Sequence, residues 1–312
     1  MRKDQHIEFS LIQDNKNNCL DKIRLKYYSL PNINIEDVDI STSFCGIKQK
    51  LPFYINAMTG GSEKANLINK RLELICKKLS IFMFSGSYTP ALNNDNYYYP
   101  KNMGVNIGAD KSFESMQIAI NKTNAKILQI HINPIQEFMM KNGDINFSNW
   151  ENNIKKALEN ITIPIILKET GFGMGEHSFE KALELGIKTI DISGKGGTNF
   201  AYIEDKRINK DRSYLYELGY STKDSLIYSR KYQDKLEILA SGGITNPIDI
   251  VKCLALGAKS VGIAGHILKL IDKYTDNEII DVLEQWIYEI KAIMAITNSK
   301  NIEELKDKWE EI

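Results

Sequence analysis

The sequence predicts an α/β protein, a (β/α)8 TIM barrel with an N-terminal arm and C-terminal helices. Three observations predict it. Eight short apolar runs recur along the 312 residues, helix-like segments alternate with them, and polar, glycine-rich stretches follow the runs on one side only.

The runs are PFYINA (52–57), IFMFSG (81–86), MGVNIG (103–108), ILQIHI (127–132), IPIILK (163–168), TIDIS (189–193), LEILAS (236–241) and SVGIA (260–264). They are apolar on both faces, as parallel strands must be when they lie between a barrel interior and an outer layer of helices. Segments 63–79, 113–121, 149–160, 179–185 and 247–256 place apolar residues at three- and four-residue spacing, which predicts helices. Gly186 and Gly257 fall where two of them should stop. Residues 1–50 read as an arm laid against the barrel, 51–270 as the barrel and 271–312 as helical closure, all within one structural domain.

Composition narrows the partners. Forty basic side chains balance 40 acidic ones, with 43% hydrophobic and 26% charged residues. Zero net charge removes the long-range attraction on which nucleic-acid and anionic-membrane binding normally depend, and leaves small anions open as substrates. Cys19, Cys45, Cys76 and Cys253 form no CxxC pair. They read as reduced thiols of a cytosolic protein without a zinc site. No apolar run approaches the roughly 18 residues of a membrane span. The terminus MRKDQHIEFS lacks the apolar stretch of a signal peptide, so the expected location is cytoplasmic.

Catalytic residues of such a barrel sit just after the carboxyl ends of the strands. There the sequence places MTGG (58–61), GS (86–87), NIG (106–108), HINPIQE (131–137), KETGFGMG (168–175), SGKGGTNF (193–200), SGG (241–243) and AG (264–265). The long connection 194–221 carries Glu204, Asp205, Lys206 and Arg207 and is long enough to act as a lid. Gly242-Gly243 and Ala264-Gly265 follow strands seven and eight, where barrels bind phosphate through backbone N–H groups. Glycine also makes tight turns. Together with Gly196-Gly197-Thr198 after strand six, these loops favour a phosphate-bearing cofactor, without saying which one.

His131, Asn133, Gln136 and Glu137 cluster at one strand end that Pro134 interrupts. A carboxylate there can hold Mg2+ beside substrate phosphates; alternatively, neighbouring backbone satisfies these side chains. Lys168 ends an otherwise apolar strand. Its ammonium can stabilise an anionic ring or enolate at the mouth, or it can pair with Glu169. Arg2, Lys3 and His6 form a basic cluster beside Asp4 and Glu8 that spacing alone reads as a solvated, frayed terminus.

In register, RKxxH (2–6), MTGG, HxNxxQE (131–137), KExGFGM (168–174), DxSGKGGTNF (191–200), ASGG (240–243) and AG (264–265) resemble the type 2 isopentenyl diphosphate isomerase family. The resemblance runs from Arg2 to the last barrel strand. It implies an FMN-dependent barrel of isoprenoid biosynthesis that interconverts isopentenyl and dimethylallyl diphosphate by a 1,3-proton shift. Reduced FMN would act as acid and base, Mg2+ would sit on the diphosphate, and NADPH or NADH would keep the flavin reduced.

By position, the resemblance assigns FMN to Ala57, Met58, Thr59, Ser87, Asn106, Lys168, Ser193, Thr198, Gly242, Gly243, Ala264 and Gly265. It assigns Mg2+ to Glu137, and the diphosphate substrate to Arg2, Lys3, His131, Asn133, Gln136 and Arg207. Gln136, Lys168 and Glu204 are the implied catalytic residues, with Glu204 and Arg207 in an IExxR pattern that helps close the site. A homo-oligomer, tetramer or octamer, is also implied. One departure stands out: many members read Ser-Gln-Arg where this chain has Ser87-Tyr88-Thr89, so one cationic contact to the diphosphate is missing.

Two other readings compete. An FMN-dependent 2-hydroxy acid oxidase or dehydrogenase would need a histidine base after strand six, where Gly194-Lys195-Gly196-Gly197-Thr198 stands. A non-catalytic flavin- or phosphate-binding barrel would leave Gln136, Glu137 and Glu204 without a task.

Overall fold

A computed structural model of the protein describes residues 2–13 and 18–312. Its centre is a parallel sheet of eight strands: β1 Phe53–Ile55, β2 Phe84–Ser87, β3 Gly104–Gly108, β4 Ile127–Ile132, β5 Ile165–Glu169, β6 Thr189–Asp191, β7 Glu237–Ser241 and β8 Ser260–Ile263. Each pairs with its sequence neighbour, β8 pairs with β1, and a parallel bridge from Ile55 to Met83 closes the ring between β1 and β2. There the Ile55 amide donates to Phe82 O at 3.0 Å. All eight apolar runs thus become barrel strands. Their apolarity on both faces follows from burial between the interior and the helical ring.

The predicted helices appear as Glu63–Leu79, Phe113–Thr123, Ser148–Asn160, Glu176–Leu185 and Pro247–Ala255. Ser62, Ser112 and Asn246 cap three of them by accepting a first-turn backbone N–H. Gly186 ends Glu176–Leu185 in the left-handed region at φ +85°, which costs glycine little.

Three features differ from the sequence expectation or add to it. The connection 194–221 is not a plain loop. Asn199 caps a helix Phe200–Ile208 by accepting from Tyr202 N, and Asn209 ends it at φ +51°. The C-terminal region holds the helices Asp276–Ile296 and Ile302–Leu305, and also a strand Trp309–Glu311 paired antiparallel with Ile23–Leu25. The arm forms a helix Arg2–Ile12, which packs against Phe200–Ile208 and Gly265–Lys273 at the barrel mouth.

The other end of the barrel is stoppered. The hairpin Thr42–Phe44/Ile47–Gln49 drives Phe44 into a cluster with Tyr54, Phe84, Ile127, Ile166 and Leu239. Cys45 N donates to Glu237 Oε2 at 2.8 Å and Thr42 Oγ1 to Lys259 O at 2.6 Å. Both partners stand at the starts of strands, so the plug seals the end opposite the glycine-rich loops. Among the described residues no helix is long and apolar enough to cross a membrane.

Phe44 is fully buried, so Phe44→Ala should cost about 3–5 kcal/mol. The expected readout is a lower urea midpoint with little change in slope. A loss below about 1 kcal/mol would mean that the plug is not part of the core.

Candidate active site

Two adjoining cavities open at the carboxyl ends of the strands. The first, about 450 Å³, is lined by Ala57, Met58, Thr59, Lys168, Ser193, Thr198, Gly242, Gly243, Ala264 and Gly265. The second, about 630 Å³, is lined by Ser87, Asn106, His131, Gln136 and Glu137. Lys3, His6, Ala57, Met58, Lys168, Thr170 and Phe200 line both. Sizes of this order suit small-molecule ligands. Asn133, Glu204 and Arg207 line neither cavity, and the Arg2 side chain lies outside the described residues.

The first cavity has the chemistry of a phosphate-and-ring site. Gly242 and Gly243 take φ +105° and +79°, and a Cβ on Gly242 would lie 2.1 Å from Gly194 O. These glycines are therefore required by the close packing of the β6 and β7 loops as well as by the cradle they form. Helix Gly265–Lys273 begins at Ala264 with no side-chain cap, and its first residues, Gly265 and His266, line the cavity, where its uncapped N–H groups suit an anion. Thr59 Oγ1 and Thr170 Oγ1 are buried on its wall with no hydrogen-bond partner among the described residues. Orphaned buried hydroxyls call for a ligand to satisfy them. The donor set thus fits FMN.

Inside the barrel a polar relay sets the orientation of the second cavity. The Asp191 carboxylate, fully buried, accepts from Tyr54 Oη (2.8 Å), Asn56 Nδ2 (2.6 Å), Ser241 Oγ (2.6 Å) and Ser193 N (3.2 Å). Burial and Asp191 together push the Tyr54 phenol well above its usual range, so it stays a donor. Asn56 must then turn Oδ1 the other way, where it accepts from Ala57 N and from Gln129 Nε2. Gln129 Oε1 in turn accepts from Asn106 Nδ2 at 2.8 Å, which leaves Asn106 Oδ1 facing His131 Nδ1 at 2.8 Å. A carbonyl oxygen there requires a proton on Nδ1, so the neutral ring keeps its lone pair on Nε2. Burial, with Lys168 and Lys3 nearby, pushes the His131 pKa down to about 3.

Lys168 is buried at the wall common to both cavities. Its ammonium donates to Glu169 O and, at 3.3 Å, to Ser193 Oγ. Burial lowers its pKa. Burial lifts Glu169 to about 8 even though its carboxyl accepts from Phe172 N and Gly173 N. The ammonium is thus held in place by a carbonyl and a hydroxyl, not by a salt bridge to the Glu169 side chain.

Asn133 and Glu204 act as struts. Asn133 caps helix Pro134–Met139 by accepting from Gln136 N and donates Nδ2 to Thr170 O, both at 2.8 Å. This fixes where Gln136 and Glu137 project. Glu204, fully buried, accepts from Arg207 and meets His6 Nε2 at 2.9 Å. Arg207 Nε also reaches Gln5 Oε1 at 3.4 Å. The carboxylate therefore ties the arm helix to Phe200–Ile208, and this tie carries Lys3 and His6 to the mouth.

The sequence reading missed Asn56, Gln129, Thr170 and Phe200. Asn56 and Gln129 had a signal, since each is an amide interrupting an otherwise apolar run. Tyr88 and Thr89 also separate in role. Tyr88 is buried with its ring 4.7 Å from Tyr99, whereas Thr89 lines the second cavity.

His131 should titrate near 3 in the free protein, against about 6.5 for an unperturbed histidine. The folded pKa lies below the unfolded one. Its contribution to stability is therefore present above about pH 6.5 and is lost as pH falls toward 3. Histidine NMR resonances followed against pH give the midpoint, and a midpoint near 6.5 would contradict the desolvated, lysine-flanked ring.

A family model described as FMN-dependent dehydrogenase matches residues 95–311. Isopentenyl-diphosphate delta-isomerases of Streptococcus pyogenes serotypes M3 and M1 are each 41% identical over 313 residues, covering 98% of this chain and 95% of theirs. Among solved structures, a doubly substituted flavocytochrome b2 with sulfite bound superposes with TM-score 0.70 at 20% identity, covering 99% of this chain and 83% of that one. A mandelate oxidase variant with an FMN monooxide adduct gives TM-score 0.67 at 11% identity, covering 98% and 91%. These two likenesses show the fold; the streptococcal ones show the family. The chain belongs to the type 2 isopentenyl-diphosphate delta-isomerases, enzymes built on the FMN-dependent dehydrogenase barrel.

Proposed function

We propose that the protein interconverts isopentenyl diphosphate and dimethylallyl diphosphate by a 1,3-proton shift, with FMN in the first cavity and the diphosphate, with Mg2+, in the second. The observation that carries this reading is the adjacency of the two cavities across Lys168, Ala57 and Met58. A flavin ring held in one cavity would then face a substrate alkene held in the other. Bound there in reduced form, FMN supplies the acid and base for proton exchange at a non-activated alkene.

The chain's own groups bind and orient. Gly242, Gly243, Ala264 and Gly265 would hold the flavin phosphate, and Thr59, Ser87, Asn106, Ser193 and Thr198 the rest of the cofactor. Lys168 would keep a positive charge beside the ring and favour its anionic form. Gln136 would cover the isoprenoid chain. Lys3 and Arg2 from the arm would meet the diphosphate, and the anion's charge would raise the pKa of His131, so that the ring could take a proton from solvent on Nε2 and donate it in a hydrogen bond. Glu137 lines the second cavity with Asp110 and Asp144. Among the described residues no three such side chains converge on one metal position. Glu137 would hold Mg2+, which takes one or two carboxylates and completes its shell with substrate phosphates. Asn133, Glu204 and Arg207 support the site by positioning Gln136, Glu137 and the arm. NADPH or NADH as flavin reductant, and assembly into a tetramer or octamer, complete the reading.

The test supplies FMN and Mg2+, reduces the flavin without oxygen and adds isopentenyl diphosphate in D2O. NMR should show dimethylallyl diphosphate carrying deuterium, formed with reduced but not oxidised flavin and lost when Mg2+ is omitted. Flavin bound tightly with no product formed would overturn the proposed reaction.

A further inference from the structure

The second cavity has one cationic side chain that the reading above leaves without a role. Lys111 lies three residues past the end of β3, in a turn closed by its own N–H donating to Gly108 O at 3.1 Å. Its side chain lines the cavity and is 30% exposed. Its ammonium pairs with Asp110, which lines the same cavity. An ammonium has three N–H donors, so one contact to Asp110 orients the group and leaves donors to spare.

The charges around the cavity make that group matter. Lys3, Lys111 and Lys168 line it on one side of the balance, and Asp110, Glu137 and Asp144 on the other, with His131 neutral and His6 engaged by Glu204 behind the wall. A diphosphate entering there meets no net positive charge from these residues, so each ammonium that turns toward it counts. Lys168 already donates to Glu169 O and Ser193 Oγ. Lys3 is delivered by the arm helix. On the β2 side the wall is uncharged: Ser87, Thr89 and Pro90. Lys111 stands on the barrel framework, and its charge also reaches His131, where it helps hold the ring neutral.

We propose that Lys111 is a diphosphate-binding residue, its ammonium swinging from Asp110 onto a phosphate oxygen of the substrate while Asp110 limits how far it moves. Asp110 thus holds the ammonium in place before substrate arrives and serves as its hinge partner afterwards. This assignment rests on the isomerase reading for the identity of the substrate and on the second cavity alone for the anion.

Two measurements on the flavin-loaded full chain separate those layers. In the isomerase assay, Lys111→Ala should raise KM for isopentenyl diphosphate about tenfold or more, with a smaller change in kcat. Lys111→Arg, which keeps the charge, should recover most of the loss. Titration of inorganic diphosphate with Mg2+ by calorimetry should show the same weakening in Lys111→Ala, with FMN retention unchanged. A KM and an inorganic diphosphate affinity within about twofold of the parent would overturn the role of Lys111. If the parent protein fails to isomerise, the calorimetric arm still decides on Lys111, while the reaction itself falls.

Discussion

A carboxylate with no access to water organises the mouth of this barrel. Asp191 ends β6 and accepts hydrogen bonds from β1, from β7 and from the backbone just beyond it. An unsatisfied buried charge would be very costly, so each neighbour is held to its donor role. That demand passes through Asn56, Gln129 and Asn106, because an amide that gives its nitrogen to one side must turn its oxygen to the other. The relay ends on His131 and decides which ring nitrogen carries the proton. A group in the centre of the barrel thereby sets the chemistry offered at its rim.

The second constraint is the docking of the arm. Lys3 and His6 line both cavities although they come from the chain's first helix. They reach the mouth through buried Glu204, which bridges His6 and Arg207. Losing one partner of such a buried pair leaves the other charge uncompensated. Substrate binding and arm docking are therefore expected to support one another, since the same helix carries the cationic Lys3 and the His6 contact that anchors it. The plug at the far end works differently. It fills the interior with Phe44 and so leaves the mouth as the end where ligands enter.

Strand positions are legible in the sequence because a strand buried on both faces has to be apolar throughout, and eight such runs admit few other folds. Helix limits are legible where Ser62, Ser112, Asn246 and Gly186 mark them. The cavity-lining glycines and Lys168 are legible from their place after strand ends. Pairings between distant segments are not. Nothing local in Trp309–Glu311 points to Ile23–Leu25, and nothing in Thr42–Gln49 names the barrel base as its partner. Glu204 reads as a residue of a charged loop until Asn199 and Asn209 are recognised as the caps of a helix. The amides of the relay are visible as interruptions in apolar strands, but their order depends on strand register, which the runs alone do not give. Lys111 is hidden for the opposite reason: a lysine beside an aspartate in a surface turn looks like any solvated pair until the cavity next to it is known.

The direction of the relay can be observed at its end. Nitrogen-15 NMR of the histidine rings distinguishes a proton on Nδ1 from one on Nε2, and Gln129→Met removes the middle link while keeping the side chain's length. In the parent protein His131 should be a single Nδ1–H tautomer. In Gln129→Met, with Asn106 free to turn, the Nε2–H form should appear and isomerase activity should fall. A parent ring protonated on Nε2, or a variant that keeps the pure Nδ1–H form, would show that His131 is not governed from Asp191.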